Sequence, residues 1–302
     1  MVWKKTVLSN LINRLCEPGA TIGGYGSDGT VTVFYIGIKM IALIDADELI
    51  YKAVTTPISF LNEAEEVETQ DIETLSDAVS NLNSFIATWQ EKSGATDVVL
   101  CFSCQDRKLY RKHFYPEYKA NRIIEKPKWY WELIEHAKEN FEWVEEPGLE
   151  ADDVMGVLHT GVYPDSIIVS SDKDMDTVPG KRYSPYHDKF FETSEYIANY
   201  NWLAQTLSGD SSDGYKGAKG IGKGRAAEVL AVTKMAKDFD MAYEHVMKMF
   251  KNRDHTTEEA IGNFICARIL RFSDIKREGD TIYVDIPMIE TPFYVSSVLA
   301  SM

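Results

Sequence analysis

Cysteine is scarce in this 302-residue chain, with four residues at positions 16, 101, 104 and 266. That spacing supplies no disulfide framework. Cys101 and Cys104 form a single C-x-x-C without a second pair, and Cys101 sits in a strand-like run, which argues against zinc. Long apolar runs are missing too. None approaches the roughly 18 residues of a membrane span. Lys4 and Lys5 precede an apolar stretch, but Ser9, Asn10, Asn13 and Arg14 interrupt it, so it makes a poor signal peptide. The expectation is a cytoplasmic protein without a membrane segment. Basic charge is also in deficit: 32 Lys and Arg face 47 Asp and Glu, a formal net charge of −15. The sum argues superficially against a nucleic-acid partner. The 44% hydrophobic content is ample for a core and argues against disorder, and the length suggests about two domains.

The distribution of charge says more than its sum. Arg107, Lys108, Arg111, Lys112, Lys119, Arg122, Lys126 and Lys128 crowd residues 107–128 against Glu117 and Glu125. Lys216, Lys219, Lys223 and Arg225 follow within 216–225, with no acid among them. Two basic patches in an acidic chain point to local phosphate contacts. Tyr110, Phe114, Tyr115, Tyr118, Trp129 and Tyr130 interleave with the first patch, a mixture suited to single-stranded nucleic acid. A solvated helix with core-facing aromatics would read the same way. Pro116 and Pro127 disfavour one long helix there, so a mobile loop or arch is expected.

Along the chain, residues 1–39 read as an appendage. Gly24 to Val31 has the glycine spacing of a phosphate loop but runs into a strand-like stretch, so it reads as a turn. Met40 to Asp45, Val98 to Phe102 and Ser166 to Ser170 are short apolar runs of the kind that form buried parallel strands. Helical periodicity over 71–91 and 129–140 alternates with them, which predicts an α/β sheet. Acids fall near the strand ends: Asp45, Asp106, and the pair Asp172 and Asp174. Asp47, one step beyond Asp45, reads instead as a helix cap. Residues 57–70 read as acidic and irregular, and 181–192 as a hairpin.

Glu150-Ala151-Asp152-Asp153 packs three carboxylates just before a helix. On a helix, positions 150 and 153 share a face, and 152 is offset by about 200° from 150. Taken alone, the stretch fits an acidic helix cap or a divalent-metal site equally. Acids converging from several strand ends are harder to explain as caps and favour metal. Asp210 and Asp213 add two more acids, three apart. Gly217 to Gly224 nearly fits a nucleotide phosphate loop, but Gly224 stands where Ser or Thr would hold magnesium, and no strand precedes it. The better reading is a tight turn joining two helices, with backbone N–H groups that can hold a phosphate. Helices near 238–251 and 257–271 complete a small helical domain.

These residues, in this order, resemble the metal-dependent 5′-nucleases: flap endonucleases, the 5′-nuclease domain of bacterial DNA polymerase I, and phage 5′→3′ exonucleases. The resemblance rests on Leu43-Ile44-Asp45, Asp106 with Arg111, Tyr118-Lys119-Ala120-Asn121-Arg122, and Glu150 to Asp153. It continues through Ser171 to Asp174, Gly209-Asp210 with Asp213, and Lys219-Gly220-Ile221-Gly222-Lys223. The Tyr-Lys-Ala-Asn-Arg form looks most like the exonucleases of T-seven-like podoviruses. The resemblance implies an α/β fold, with a mainly parallel central sheet of the PIN-like 5′-nuclease type. It implies a helical arch near 107–130 and a C-terminal helix–turn–helix DNA-binding domain. Domain limits follow as an extension at 1–39, a catalytic domain at 40–200, a duplex-binding domain at 201–272 and a tail at 273–302.

The resemblance also implies two magnesium ions, replaceable by manganese, and a potassium ion at the Gly220–Gly222 hairpin. Asp45, Asp106, Glu150 and Asp152 are assigned to one ion, and Asp153, Asp172, Asp174, Asp210 and Asp213 to the other. Lys119 and Arg122 would neutralise the scissile phosphate, and Tyr118 would stack on a terminal base. Arg111, Lys216, Lys219, Gly220, Gly222, Lys223 and Arg225 are the other expected nucleic-acid contacts. The implied activity is 5′→3′ exonuclease action on duplex DNA, with RNA–DNA hybrids and 5′ flaps as further substrates and replication proteins as partners. Three alternatives stand beside it: a flap endonuclease as the main activity, a PIN-type ribonuclease, and a non-catalytic metal-stabilised DNA-binding protein.

Overall fold

A computed structural model describes residues 40–61, 66–105, 108–122, 125–278, 281–286 and 293–294. The expected N-terminal appendage and Asp106 lie outside the described residues. The central sheet has the order β5-β4-β1-β6-β7-β8, where β1 is Ile41–Asp45, β4 Asp97–Phe102, β5 Trp143–Glu145, β6 Ile167–Val169, β7 Gly180–Ser184 and β8 Lys189–Thr193. The first five run parallel, and β8 folds back antiparallel on β7. Strand β1 lies between β4 and β6, so the chain reverses its direction of travel across the sheet at β1. Open α/β sheets bind ligands at such a point, outside the carboxyl ends of the strands.

Alternation along the strands sends side chains to two cores. Leu43, Val99, Cys101 and Ile168 face one, while Ala42, Ile44, Leu100, Phe102 and Val169 face the other. The second core is covered by helices α1 (Ala46–Thr55), α2 (Leu75–Ser93) and α4 (Tyr130–Asn140). Helix α2 starts at a reciprocal Thr74–Asp77 capping box and stops at Gly94, which takes the left-handed conformation. The first core is covered by α5 (Ala151–Val157), a π-helical turn at Leu158–Val162, and the helices α6 (Glu195–Ser208), α7 (Lys223–Ala236), α8 (Phe239–Lys251) and α9 (Thr257–Ala267).

Two expectations need correction. Residues 57–70 contain a hairpin, β2 (Ile58–Leu61) with β3 (Val67–Gln70). The basic segment does not form a helical arch in its described part. Residues 108–122 hold only the one-turn helix α3 (Arg111–Phe114) and a run of turns. They are pinned down because Tyr110, Arg111 and Tyr118 are buried. No helix among the described residues is long and apolar enough to cross a membrane.

Candidate active site

Strand β1 delivers Asp45 to the carboxyl edge of the sheet. Its carboxylate also caps α1, with Oδ1 accepting from Glu48 N at 3.1 Å and Oδ2 from Ser170 Oγ at 3.1 Å. The cap is therefore Asp45, and Asp47 is released to face a cavity. Strand β4 runs on to Ser103, whose Oγ accepts from Ala151 N at 2.9 Å, fixing the start of α5 against the sheet edge. Strand β6 leads into the turn at 170–172, where Asp172 Oδ1 accepts from Asp174 N at 2.8 Å. A tight loop at 209–217, closed by reciprocal hydrogen bonds between Asp210 and Tyr215, brings up Asp213. Gly209 and Gly217 cross within that loop at φ +68° and +66°. A Cβ on either would stand 2.4 Å from the other strand's backbone.

The result is a cavity of about 220 Å³ lined by Asp45, Asp47, Glu48, Glu150, Asp152, Asp172, Asp174 and Asp213, with Lys119, Arg122 and Lys173 at its walls. The carboxylates repel one another. Burial, then Asp47 and Glu48, push Asp45 up to about 8. Burial and Asp172 push Asp174 up to about 6. Asp152 is also raised, by burial first and then by Asp172 and Asp45. Glu150 goes the other way. Burial alone would raise it, but Lys119, Arg111 and the Tyr118 hydroxyl hold it at about 2.

A group of hard oxygen donors that cannot all ionise without positive charge between them fits a divalent cation. Among the described residues no three carboxylates close up enough to hold one ion by direct ligation. A cation that keeps several waters, as magnesium does, suits a ring of that width.

Several site residues lie elsewhere than expected. Asp153 does not line the cavity and is fully buried. Both its oxygens are taken by Arg111 at 2.6 Å, with Leu270 N at 3.1 Å on Oδ1 and Glu150 N at 3.2 Å on Oδ2. It is an ion-pair partner beneath the site, because the 150/153 helix face turns toward Arg111. Arg111 is only 2% exposed and also bonds Glu150 Oε2 at 2.9 Å, so it clamps acids and is closed to nucleic acid. Tyr118 is likewise buried, with its hydroxyl on Glu150 at 2.8 Å and Asp213 at 3.1 Å, and it offers no face to a base. Asp210 stands just outside the acid ring, 3.6 Å from Lys173 Nζ, in an adjoining groove.

Lys119 and Arg122 do meet the acids. Lys119 Nζ lies 2.5 Å from Glu150 Oε1, and Arg122 Nη2 lies 2.5 Å from Asp213 Oδ1. Lys119 sits at φ +52°, held by its N–H donating to Asp213 O at 2.7 Å. Sequence reasoning missed Asp47 and Glu48 as cavity residues. The signal was available, since first-turn side chains beside a strand-end acid fan toward one point.

Lys216 and Lys223 of the second basic patch line a groove with Lys173, Asp210 and Gly222. Gly222 opens α7 without a side-chain cap, and Lys219, Lys223 and Arg225 are exposed. Gly220 needs its glycine, at φ +75°, and open space surrounds Gly220, Gly222 and Gly224.

Residues 40–201 match the 5′-3′ exonuclease N-terminal resolvase-like domain family. The chain is 27% identical over 285 residues to the exonuclease of Escherichia phage T7, spanning 82% of this chain and 93% of that protein. It is 27% identical over 289 residues, with the same coverages, to the exodeoxyribonuclease of Enterobacteria phage T3. The fold is similar to that of the phage T5 5′-exonuclease, at a TM-score of 0.51 and 15% identity, covering 76% of this chain and 87% of that one. It is also similar to the T5 flap endonuclease solved with DNA and metal ions, at a TM-score of 0.53, 16% identity, and coverages of 76% and 89%.

Proposed function

The chain belongs to the 5′-3′ exonuclease family of phage nucleases related to flap endonucleases, and from that premise we propose that it hydrolyses phosphodiester bonds from the 5′ ends of duplex DNA using divalent cations at the acid cavity. The observation that carries this reading is the convergence of Asp45, Asp152, Asp172 and Asp174 at the sheet's carboxyl edge beside Lys119 and Arg122. Magnesium is the cation that suits the donor set, and two ions are the number suited to so many carboxylates. Asp45, Glu150, Asp152, Asp172 and Asp174 would hold them, with Asp210 and Asp213 acting at the margin or through water and Asp106 retained as a candidate ligand from the sequence. Bound there, the cations supply a water of lowered pKa and offset charge that builds on the phosphate.

The chain's own groups do the rest. Lys119 and Arg122 leave their carboxylates to meet the scissile phosphate. Arg111 and Asp153 fix Glu150 from below. Lys216, Lys219 and Lys223 grip the duplex backbone without reading sequence, and the uncapped start of α7 adds backbone N–H groups. Residues 201–272 therefore act as the helix–turn–helix duplex-binding domain, with the Gly220–Gly222 hairpin as its potassium position. RNA–DNA hybrids and 5′ flaps fit the same site, because none of these contacts reads a base or a 2′-hydroxyl.

Labelled blunt, nicked, flapped and hybrid duplexes with magnesium test the proposal. Wild-type protein should shorten them from the 5′ end, and Asp152→Asn should not. Undiminished cleavage by that variant would remove the acid cavity from the reaction.

A further inference from the structure

The hairpin at 217–222 is tied down one amide at a time. Gly217 N donates to Asn263 Oδ1 at 2.8 Å, and Ala218 N donates to Leu207 O at 2.9 Å. Ala218 and Ile221 are buried, while Lys219 and Gly220 between them stand in solvent. A side chain from elsewhere in the chain reaches that exposed tip: Lys219 N donates to His255 Nε2 at 3.1 Å. His255 lies in the short turn between α8 and α9. Facing an N–H, its Nε2 must be the acceptor, so the ring proton sits on Nδ1 and is donated to Glu259 Oε2 at 3.2 Å. Glu259 is fixed in turn, because the same oxygen accepts from Thr256 N at 2.9 Å in the capping box that opens α9. From α8 the Phe250 ring meets the imidazole edge-on, with centroids 5.3 Å apart. The imidazole is thus oriented by two helices and aimed at one backbone amide.

We propose that His255 is a positioning residue for duplex binding, acting through the Lys219 amide to hold the Lys219–Gly220 tip in the shape that meets the phosphate backbone. The inference rests on the duplex-binding reading above and adds the group that sets the hairpin's shape. Gly220 takes φ +75°, a conformation that glycine leaves as readily as it enters. Fixing Lys219 N fixes the peptide plane that precedes this glycine and the direction in which the Lys219 side chain departs. Lys219 is exposed, so water can replace the imidazole when it is removed. What is lost is order in the free protein, and the phosphate backbone must then supply that order on binding. His255 is not among the residues lining the acid cavity, so the chemical step is untouched once duplex is bound.

Amide substitutions separate the acceptor from bulk. A glutamine amide reaches about as far as Nε2, and an asparagine amide only about as far as Nδ1. The dissociation constant of a labelled blunt duplex is measured by fluorescence anisotropy with metal-free full-length protein. His255→Leu and His255→Asn should bind about fivefold more weakly than wild type, and His255→Gln within about twofold of it. Single-turnover cleavage with magnesium at saturating duplex should run at the wild-type rate in all three variants. Wild-type affinity in His255→Leu, or equal weakening in His255→Gln and His255→Asn, would overturn the proposal. A single-turnover rate that fell along with the affinity would overturn it too, by placing the histidine's influence in the acid cavity. Failure of the underlying reading looks different: wild-type protein would itself not hold the duplex, and the variants would have no affinity to lose.

Discussion

Asp152→Asn and Asp153→Asn, one residue apart, should fail in opposite ways. Asp153 is fully buried and accepts from Arg111 twice at 2.6 Å, from Leu270 N and from Glu150 N. Each of its oxygens faces one guanidinium nitrogen and one backbone N–H. An asparagine amide would therefore set a donor against two donors whichever way it turned. Arg111 would keep Glu150 Oε2 at 2.9 Å as its remaining carboxylate partner. Breaking a buried pair costs about 3–5 kcal/mol, and the surviving Glu150 contact puts this one near the lower end. At roughly 2–4 °C per kcal/mol for a chain of this size, calorimetry should show a melting point about 6–12 °C lower. Asp152 faces the cavity, where burial and then the Asp172 and Asp45 carboxylates hold its ionisation back. Neutralising it relieves repulsion, so the metal-free protein should melt at the same temperature or higher while cleavage is lost. If Asp153→Asn melted like wild type and lost activity as Asp152→Asn does, Asp153 would be a ligand and no part of a clamp beneath the cavity.

Other consequences can be checked in the same preparations. Lys119→Ala should lower kcat about 100- to 1,000-fold with duplex affinity nearly intact, and wild-type turnover in single-turnover assays would remove it from the site. Burial holds His159 at about 4, below its ordinary 6.5, with Nδ1 on Ser166 Oγ at 2.8 Å. The unfolded chain therefore protonates first, and stability falls as pH drops from 6.5 to 4, by about 3 kcal/mol over the window. Urea titrations should show a flatter acid limb in His159→Asn, and an identical limb would refute the assignment. Asp45 behaves in the opposite sense. Its folded-state value of about 8 lies above the ordinary 3.8, so metal-free stability falls as pH rises between those values. On the proposed function magnesium would replace the proton there, so the melting-point gain from saturating magnesium should be larger at pH 8 than at pH 6. An equal gain at both would place the ion elsewhere.

Much of the scaffold was legible because buried parallel strands are contiguous apolar runs, and Ile41 to Asp45 and Asp97 to Phe102 are of that kind. The β2–β3 hairpin escaped because its second strand, Val67–Gln70, is exposed on both faces and carries no burial pattern. Within the acidic stretch the helical wheel already held the answer. Residues 150 and 153 share a face, and that face meets Arg111, while 152 turns to the cavity. What sequence could not supply was where Arg111 sat. A segment of alternating basic and aromatic residues reads alike whether solvated or buried, and the burial of Tyr110, Arg111 and Tyr118 comes from contacts distant in the chain, among them the Arg268 carbonyl on Arg111 at 2.5 Å.

The burial of Arg111 bears on how the site is poised. Among the described residues four cations, Arg111, Lys119, Arg122 and Lys173, reach the acids, and they differ in exposure. Arg111 is sealed between Glu150 and Asp153, whereas Lys119 and Arg122 approach from the open side, with side-chain exposures of 16% and 46%. Those two, and Lys173 with its side chain 63% exposed, can change partners, whereas Arg111 cannot. On the proposed function, a phosphodiester entering with divalent cations would bring negative charge for Lys119 and Arg122 and positive charge for the carboxylates they leave. That exchange would keep every buried charge paired, so neither substrate nor cation would bear the cost of stranding an ion. It also couples the two: cations alone would face Lys119 at Glu150, and phosphate alone would meet uncompensated carboxylates. Magnesium affinity should therefore rise when duplex is present, and Lys119→Ala should raise it without duplex. Titration calorimetry of both proteins, with and without a non-hydrolysable duplex, reads that coupling directly. Its absence in wild type would mean that the cations and the phosphate bind independently.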